Sequence, residues 1–97
     1  MPFSFADIET EDIYHGRKSK KAVKRLSPAY WDVAQRKLHM VKAAHRLEDL
    51  KIPPANRLEA LSGNLKGKHS IRINDQWRIV FRWTGKDAED VKIIDYH

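Results

Sequence analysis

The chain has 97 residues, which is enough for one compact domain with one hydrophobic core and too few for two ordinary domains. Its formal net charge of +6 favours polyanionic partners, so nucleic acid or an acidic protein leads the candidates. The absence of cysteine excludes disulfides and thiolate metal sites. No apolar run resembles a signal segment or a membrane span, so we expect a cytoplasmic protein that needs no membrane.

The N-terminal segment predicts one short strand and one short helix. Phe3 and Phe5 alternate with small residues, which predicts a strand over residues 3–7 that joins the sheet. Thr10 precedes two acidic residues and resembles a helix start, because carboxylates suit the exposed N–H groups of a first turn. Gly16 can end this helix.

A dense basic run follows the predicted helix. Six cations occur within nine residues: Arg17, Lys18, Lys20, Lys21, Lys24 and Arg25. Ala22, Val23 and Leu26 in and beside the run predict an amphipathic helical turn that would fix these charges in space. Such a run is either a solvated face or a surface that contacts phosphates, and both interpretations remain open.

The longest predicted helix begins at Ser27, an N-cap, with Pro28 at the first helical position. Its apolar residues fall in one broad arc: Tyr30, Val33, Ala34, Leu38, Met40, Val41, Ala44 and Leu47. Two successive prolines end it after Ile52. His39 and His45 have no ligand partner one turn away on the same face, so we expect surface or boundary positions for both and no metal site. We expect no cofactor.

Two strands of a hairpin are predicted over residues 69–83, with a turn at 74–76, and a short strand over 57–61 precedes them. In the second hairpin strand the predicted core face consists of Trp77, Ile79, Phe81 and Trp83. Arg78, Val80 and Arg82 share the opposite face. An arginine in a strand interior is held more rigidly than one on a loop, so we expect Arg78 in any functional site.

The last predicted strand covers residues 91–96. The order of strand, helices and then four strands predicts an α+β fold, with the N-terminal strand and the helices packed on a mostly antiparallel twisted sheet. We find no repeat or linker, and we therefore predict a single domain over residues 1–97.

The C-terminal residues Asp95, Tyr96 and His97 end the last strand with three groups that can hydrogen-bond or transfer protons. RNA cleavage by attack of a 2′-hydroxyl needs a base, an acid and a cation for the phosphate oxygens. His97 suits proton transfer and Arg78 suits charge stabilisation. Tyr96 could stack on a base, bind a phosphate or transfer a proton.

Glu59 has two alternative roles that the sequence leaves open. It could act as the base if its strand faces the cleft, or it could form an ion pair with Arg57 or Arg78. The candidate RNA-binding cations are Arg57, Lys18, Lys20, Lys21, Arg72 and Arg82.

Three stretches together resemble the HigB-type toxins of the RelE superfamily: NRLEALSGN at 56–64, the hairpin HSIRINDQWRIVFRW at 69–83, and the closing DYH. The resemblance implies a compact RelE-like fold and a bacterial toxin of a type II toxin–antitoxin system. It implies a ribosome-dependent, metal-independent endoribonuclease that cuts messenger RNA during translation and inhibits growth. It also implies a HigA-like helix-turn-helix antitoxin as partner, with operator DNA bound only through the antitoxin complex.

By position, the resemblance transfers the Trp-Arg pair of the family to Trp77 and Arg78, and its terminal triplet to Asp95, Tyr96 and His97. Some related toxins have a histidine and a downstream lysine where this chain has Glu59 and Ser62. This departure removes one cation and leaves the proton-transfer roles open.

Two other functional classes remain open. A ParE-like toxin that poisons gyrase has the same fold and a basic surface but does not cleave RNA, and the terminal triplet argues against it. A non-catalytic basic module that binds nucleic acid is favoured only by the charge.

Overall fold

The sheet is built around the hairpin that the sequence predicts. A computed structural model describes residues 3–95 and contains four strands: β1 Glu59–Ala60, β2 His69–Arg72, β3 Trp77–Trp83 and β4 Ala88–Asp95. The strands lie in the order β1-β2-β3-β4, and all neighbours are antiparallel. The α+β prediction is therefore confirmed, whereas the strand predicted over 57–61 is only two residues long.

The turn between β2 and β3 is closed by one side chain. Asn74 Oδ1 accepts hydrogen bonds from the backbone N–H groups of Gln76 and Trp77, at 2.9 and 2.8 Å. An asparagine can mimic a backbone turn in this way, and the predicted turn at 74–76 is confirmed. The resulting register places Ile71 opposite Ile79 and Arg72 opposite Arg78.

One face of the sheet forms the core with the helices. The apolar strand residues with no exposed surface are Ile71, Ile79, Phe81, Val91 and Ile93, and they pack with Ile13, Ala34, Leu38 and Val41 of the helices. Complete burial of a side chain of this size contributes about 1.5–3 kcal/mol. The predicted core face of the hairpin is confirmed, although Trp77 and Trp83 at its two ends are only partly buried.

Three α-helices precede the sheet: α1 Ile8–His15, α2 Lys20–Arg25 and α3 Trp31–Ala43. The N-cap of α1 is Asp7, whose carboxylate accepts from the Thr10 N–H at 2.9 Å, so the predicted start at Thr10 is three residues too late. Gly16 ends α1 in the left-handed conformation, at φ 74°, as predicted. None of the helices within residues 3–95 is long and apolar enough to cross a membrane.

Helix α2 confirms the amphipathic turn predicted in the basic run. Ser19 caps it by accepting from the Ala22 N–H, and Ala22 and Leu26 are buried. Val23 was expected on the apolar side but is exposed.

Helix α3 is shorter than predicted at both ends. Ser27 caps a 3-10 turn, Pro28–Tyr30, which leads directly into α3. The helix ends at Ala43 and does not continue to Ile52. Beyond it, the carboxylate of Asp49 accepts from the N–H groups of His45 and Arg46, at 3.0 and 3.1 Å, and a separate 3-10 helix, Leu47–Lys51, follows. The Asp49 carboxylate thus takes the place of the backbone carbonyls that would accept these N–H groups in a continued helix.

The predicted N-terminal strand over 3–7 is wrong in extent. It is reduced to one parallel bridge between Phe5 and Val91, in which Val91 N–H donates to Ser4 O and Ala6 N–H donates to Val91 O, both at 2.9 Å. Strand β4 begins at Ala88, three residues earlier than predicted.

The outer edge of β4 is closed further along by the first two helices. Thr10 Oγ1 accepts from the Ile93 N–H at 3.1 Å, and Arg25 Nη1 donates to the Ile93 carbonyl at 3.0 Å. Arg25 also pairs with Asp7 at 2.9 Å, so one guanidinium links α1, α2 and β4. Both backbone groups of Ile93 on this edge are therefore satisfied.

Replacement of Thr10 by valine should destabilise the fold, because Thr10 is fully buried and valine leaves the Ile93 N–H without its acceptor. We expect Thr10→Val to lower the free energy of unfolding by about 1–3 kcal/mol, measured by urea denaturation. Thr84→Val is the matched control, since Thr84 is exposed and water can replace its hydroxyl. Equal losses in both variants would contradict the role of Thr10.

The charge of Asp7 should make stability depend on pH. Burial alone would raise the pKa of Asp7, but hydrogen bonds from Thr10 and Arg25 outweigh it and hold the pKa below its usual 3.8. The stability that the charged Asp7 carboxylate contributes is complete above the unfolded-state pKa. It is lost as pH falls through the lower folded-state pKa. Asp7→Asn keeps a good N-cap and removes the charge. It should be less stable than wild type near neutral pH, and the difference in urea midpoint should vanish in acid; a difference that persists there would contradict a charge effect.

Candidate phosphate-binding cleft

Three arginines line one cleft at the turn end of the β2–β3 hairpin. The cleft has a volume of about 240 Å³ and is lined by Arg57, Arg72, Asn74, Asp75 and Arg78. Arg72 and Arg78 are directly opposed on neighbouring strands, so their side chains leave the same face of the sheet. Like charges in this position oppose folding, and the carboxylates of Asp75 and Glu59 offset part of this repulsion by pairing with Arg72 and Arg78.

Arg78 is more buried than the sequence predicts. It lies on the face opposite the core, as expected, yet only 7% of it is exposed. Its Nε donates to Ser70 Oγ at 2.8 Å, and its Nη2 donates to the carbonyl of Arg57 at 2.6 Å. The guanidinium is thereby fixed in position before any ligand arrives.

Arg57 reaches the cleft from the loop before β1, with an exposed side chain. Its backbone is left-handed, at φ 48° and ψ 56°, a conformation that costs a non-glycine residue roughly 1–2 kcal/mol. The Arg57 N–H donates to the Pro54 carbonyl at 3.0 Å. In this conformation the Arg57 carbonyl accepts from Arg78, and the Arg57 side chain lines the cleft.

Glu59 lies beside Arg78, where it forms an ion pair between Oε1 and Nη2 at 3.3 Å. Its side chain is 47% exposed, so solvent and ligands can reach the carboxylate. Of the two alternatives for Glu59, the ion pair is the one present in this structure. A carboxylate in contact with a cationic phosphate site can also accept a proton from a bound hydroxyl.

Asp75 is the anion at the mouth of the cleft. Its carboxylate pairs with Arg72, while the Asp75 side chain is 97% exposed. The pair partly neutralises the cleft, and a phosphate that approaches Arg72 competes with it.

Two buried polar residues beneath the cleft were missed by sequence analysis. Lys37 of α3 is 7% exposed and its ammonium donates to the side-chain oxygen of Asn56, which is fully buried. Burial lowers the pKa of Lys37, and the positive charges of Arg36 and Arg72 lower it further. One signal was present in the sequence, since Lys37 falls in the helical stripe of buried residues at 34, 38 and 41.

Several predicted site residues do not line the cleft. Asp95 pairs with Trp77 across the sheet, and its carboxylate accepts from Gln76 Nε2 at 3.0 Å. Arg82 forms ion pairs with Glu89 and Asp90, at 3.1 and 3.0 Å. Tyr96 and His97 lie outside the described residues, and their predicted roles stay predictions.

The predicted cations of the basic run belong to a separate surface. Lys18 and Lys20 are exposed, and Lys21 lines a second depression of about 300 Å³ with Glu9, Lys24 and Arg25. Among residues 3–95, the cations along α2 therefore form a basic surface that is separate from the cleft.

The cleft has the chemistry of an oxyanion site. Guanidinium groups are permanently charged and bind phosphate oxygens through paired N–H donors. Donors fixed in place before reaction stabilise charge that develops on a phosphate, and Glu59 adds one group capable of accepting a proton.

The chain is similar to known toxins. A family model described as the RelE-like toxin of type II toxin–antitoxin system HigB matches residues 3–97. Toxin HigB-1 of Vibrio cholerae serotype O1 is 44% identical over 84 residues, which cover 86% of this chain and 84% of that protein. An uncharacterized protein of Haemophilus influenzae is 34% identical over 67 residues, which cover 69% of this chain and 65% of that protein.

Removal of the Asp75 carboxylate should strengthen phosphate binding in the cleft, because Arg72 loses its competing anion. We expect Asp75→Ala to bind inorganic phosphate roughly two- to fivefold more tightly, in line with the strength of an exposed ion pair. Binding would be followed by NMR titration of the arginine side chains. Asp32→Ala, which removes an exposed carboxylate from α3, is the control, and an equal gain there would assign the effect to net charge.

Proposed function

Because the chain belongs to the HigB-like toxins of type II toxin–antitoxin systems, we propose that it is a ribosome-dependent endoribonuclease that cleaves messenger RNA during translation and so inhibits growth. The observation that carries this proposal is the convergence of Arg57, Arg72 and Arg78 on one cleft, with Glu59 against Arg78. The site would act in the bacterial cytoplasm, where translating ribosomes are found.

In the proposed reaction the 2′-hydroxyl of RNA attacks the adjacent phosphorus. A base takes the hydroxyl proton, the bond from phosphorus to the 5′-oxygen breaks, and an acid gives that oxygen a proton. The products are a 2′,3′-cyclic phosphate and a 5′-hydroxyl. Arg78 and Arg57 would stabilise the charge on the phosphate oxygens, so the mechanism assigns no step to a metal ion.

The proton-transfer roles are proposed for a small set of groups. Glu59 could accept the hydroxyl proton from its position beside Arg78, and breaking their 3.3 Å ion pair would accompany substrate binding. His97 suits the role of the acid that protonates the leaving 5′-oxygen, because histidine is the side-chain type that ordinarily exchanges a proton near neutral pH. Tyr96 would stack on a base or bind the phosphate, and Asp95 would hold the end of β4.

The second basic surface suits the ribosome. Lys18, Lys20 and Lys21 are exposed, and α2 holds the last two in a fixed arrangement suited to RNA phosphates. Binding through such contacts weakens steeply with salt, because each contact releases counterions from RNA. Arg82 could add a further contact, although its two carboxylate partners offset its positive charge.

We further propose a HigA-like helix-turn-helix antitoxin as the neutralising partner. Operator DNA would be bound only through the toxin–antitoxin complex. The excess positive charge of the chain favours an acidic partner surface.

The test is to map messenger 5′ ends in cells that express the wild-type chain or Arg57→Asn. Asparagine tolerates the left-handed backbone and keeps the carbonyl that Arg78 needs, so the variant removes only the cation. We expect cuts inside translated codons with the wild type, and a rate lower by on the order of 10² to 10³ with Arg57→Asn, typical of the loss of one charge-stabilising donor.

Lys86→Asn is the matched control, since Lys86 is an exposed cation in the turn between β3 and β4, at the far end of β3 from the cleft. It should cleave like the wild type. Growth arrest with DNA breaks and no RNA cuts would indicate a gyrase poison. RNA binding without cuts would indicate a non-catalytic module.

A further inference from the structure

We propose that Lys37 and Asn56 form a strut beneath the cleft that positions Arg57 and Arg78 for reaction. The strut is defined as the Lys37 ammonium, the Asn56 side chain and the Arg57 carbonyl. This inference rests on the proposed function and assigns positioning roles to two residues that touch no substrate.

The burial of the charged Lys37 side chain in a small core costs free energy. It lies on the packed side of α3 at 7% exposure, and its ammonium donates to a neutral amide oxygen. None of the ion pairs formed within residues 3–95 includes Lys37. Stability alone favours an apolar side chain at such a position, so the retained cation points to another role.

Asn56 connects Lys37 to the loop that enters the cleft. Its side-chain oxygen accepts from Lys37, and its Nδ2 donates to the carbonyls of Leu50 and Ile52, at 3.2 and 3.3 Å. Its own N–H donates to the Pro53 carbonyl at 2.9 Å. A fully buried amide with all these contacts fixes the loop against α3.

Arg57, the next residue along the chain, connects Asn56 to Arg78 in the cleft. Arg57 takes its left-handed conformation directly after Asn56, and its carbonyl accepts from Arg78 Nη2 at 2.6 Å. A strained conformation persists only when its surroundings hold it. The Lys37–Asn56 contact is part of that restraint, together with the hydrogen bond from the Arg57 N–H to the Pro54 carbonyl. Through the Arg57 carbonyl, helix α3 thereby helps to place the guanidinium of Arg78, which Ser70 and Glu59 also hold. Helix α3 itself contributes no residue to the lining of the cleft.

The test compares Lys37→Met with Arg36→Met. Both variants remove one positive charge from adjacent positions of α3, but Arg36 is exposed and lies outside the strut. We expect Lys37→Met to lower the cleavage rate at saturating ribosomes by roughly 10- to 100-fold, the effect of a small misplacement of reacting groups. Affinity for ribosomes should change no more than in Arg36→Met, so the loss falls on kcat and not on KM.

A spectroscopic measurement separates positioning from a general loss of stability. In the wild type the Nε–H of Arg78 donates to Ser70, so it should exchange slowly with water. In folded Lys37→Met this exchange should accelerate, and the affinity for inorganic phosphate should fall, whereas Arg36→Met should retain both properties. A folded Lys37→Met with unchanged cleavage and unchanged exchange at Arg78 would overturn the strut.

Two further outcomes are also decisive. If Lys37→Met does not fold, the strut is tested by NMR on the wild-type protein. Separate, slowly exchanging signals for the Lys37 ammonium and the Arg78 Nε–H support the strut. Rapid exchange of both groups with water overturns it. If neither the wild type nor Arg36→Met cleaves RNA, the proposed function fails. The strut is then judged by phosphate affinity and by exchange at Arg78, which need no activity.

Discussion

The burial of Arg78 is the constraint on which the cleft depends. A guanidinium at 7% exposure is tolerated only when its N–H groups have partners, and here Ser70, Arg57 and Glu59 provide them from β2, from the loop before β1 and from β1 itself. The same contacts that satisfy the charge therefore draw three segments together around it. The sheet could form with a neutral residue at this position, but the loop that carries Arg57 would lose the hydrogen bond that ties it to β3.

The parts of this arrangement that sequence could predict are those set by local pattern. Alternation identified the hairpin and assigned Arg78 to the face opposite the core, and the resemblance in the hairpin and in residues 56–64 identified the family. The role of Lys37 could not be predicted, because a lysine within an apolar stripe has no evident partner in the sequence. Its partner, Asn56, is identified only by the structure. The left-handed backbone of Arg57 was equally hidden, since nothing in an arginine favours that conformation. The end of α3 was missed because Asp49 supplies acceptors that hydrophobic periodicity does not reveal.

The two basic surfaces differ in how their charges are used. In α2, Arg25 points its guanidinium inward to Asp7 and to the Ile93 carbonyl, so that cation supports the fold. Lys20 and Lys21 remain exposed on the same helix and are available to partners. In the cleft, by contrast, Arg78 both donates to buried acceptors and lines the cavity. An anion bound in the cleft would therefore add hydrogen-bond acceptors to a guanidinium that is already fixed. Such binding would stabilise the folded state of the site.

The pairing of the N-terminal segment with β4 has a consequence for the order in which the chain acquires its structure. Ser4 and Ala6 bond to Val91, and Thr10 bonds to Ile93, so contacts join the first helix to the last strand across almost the whole sequence. During synthesis the first three helices leave the ribosome long before the strand that completes their core exists. The nascent chain therefore carries the basic run and the arginines of the cleft in a form without its final core. The toxin fold is thus completed only after β4 has been translated, and the cleft reaches its final form after most of the chain has left the ribosome.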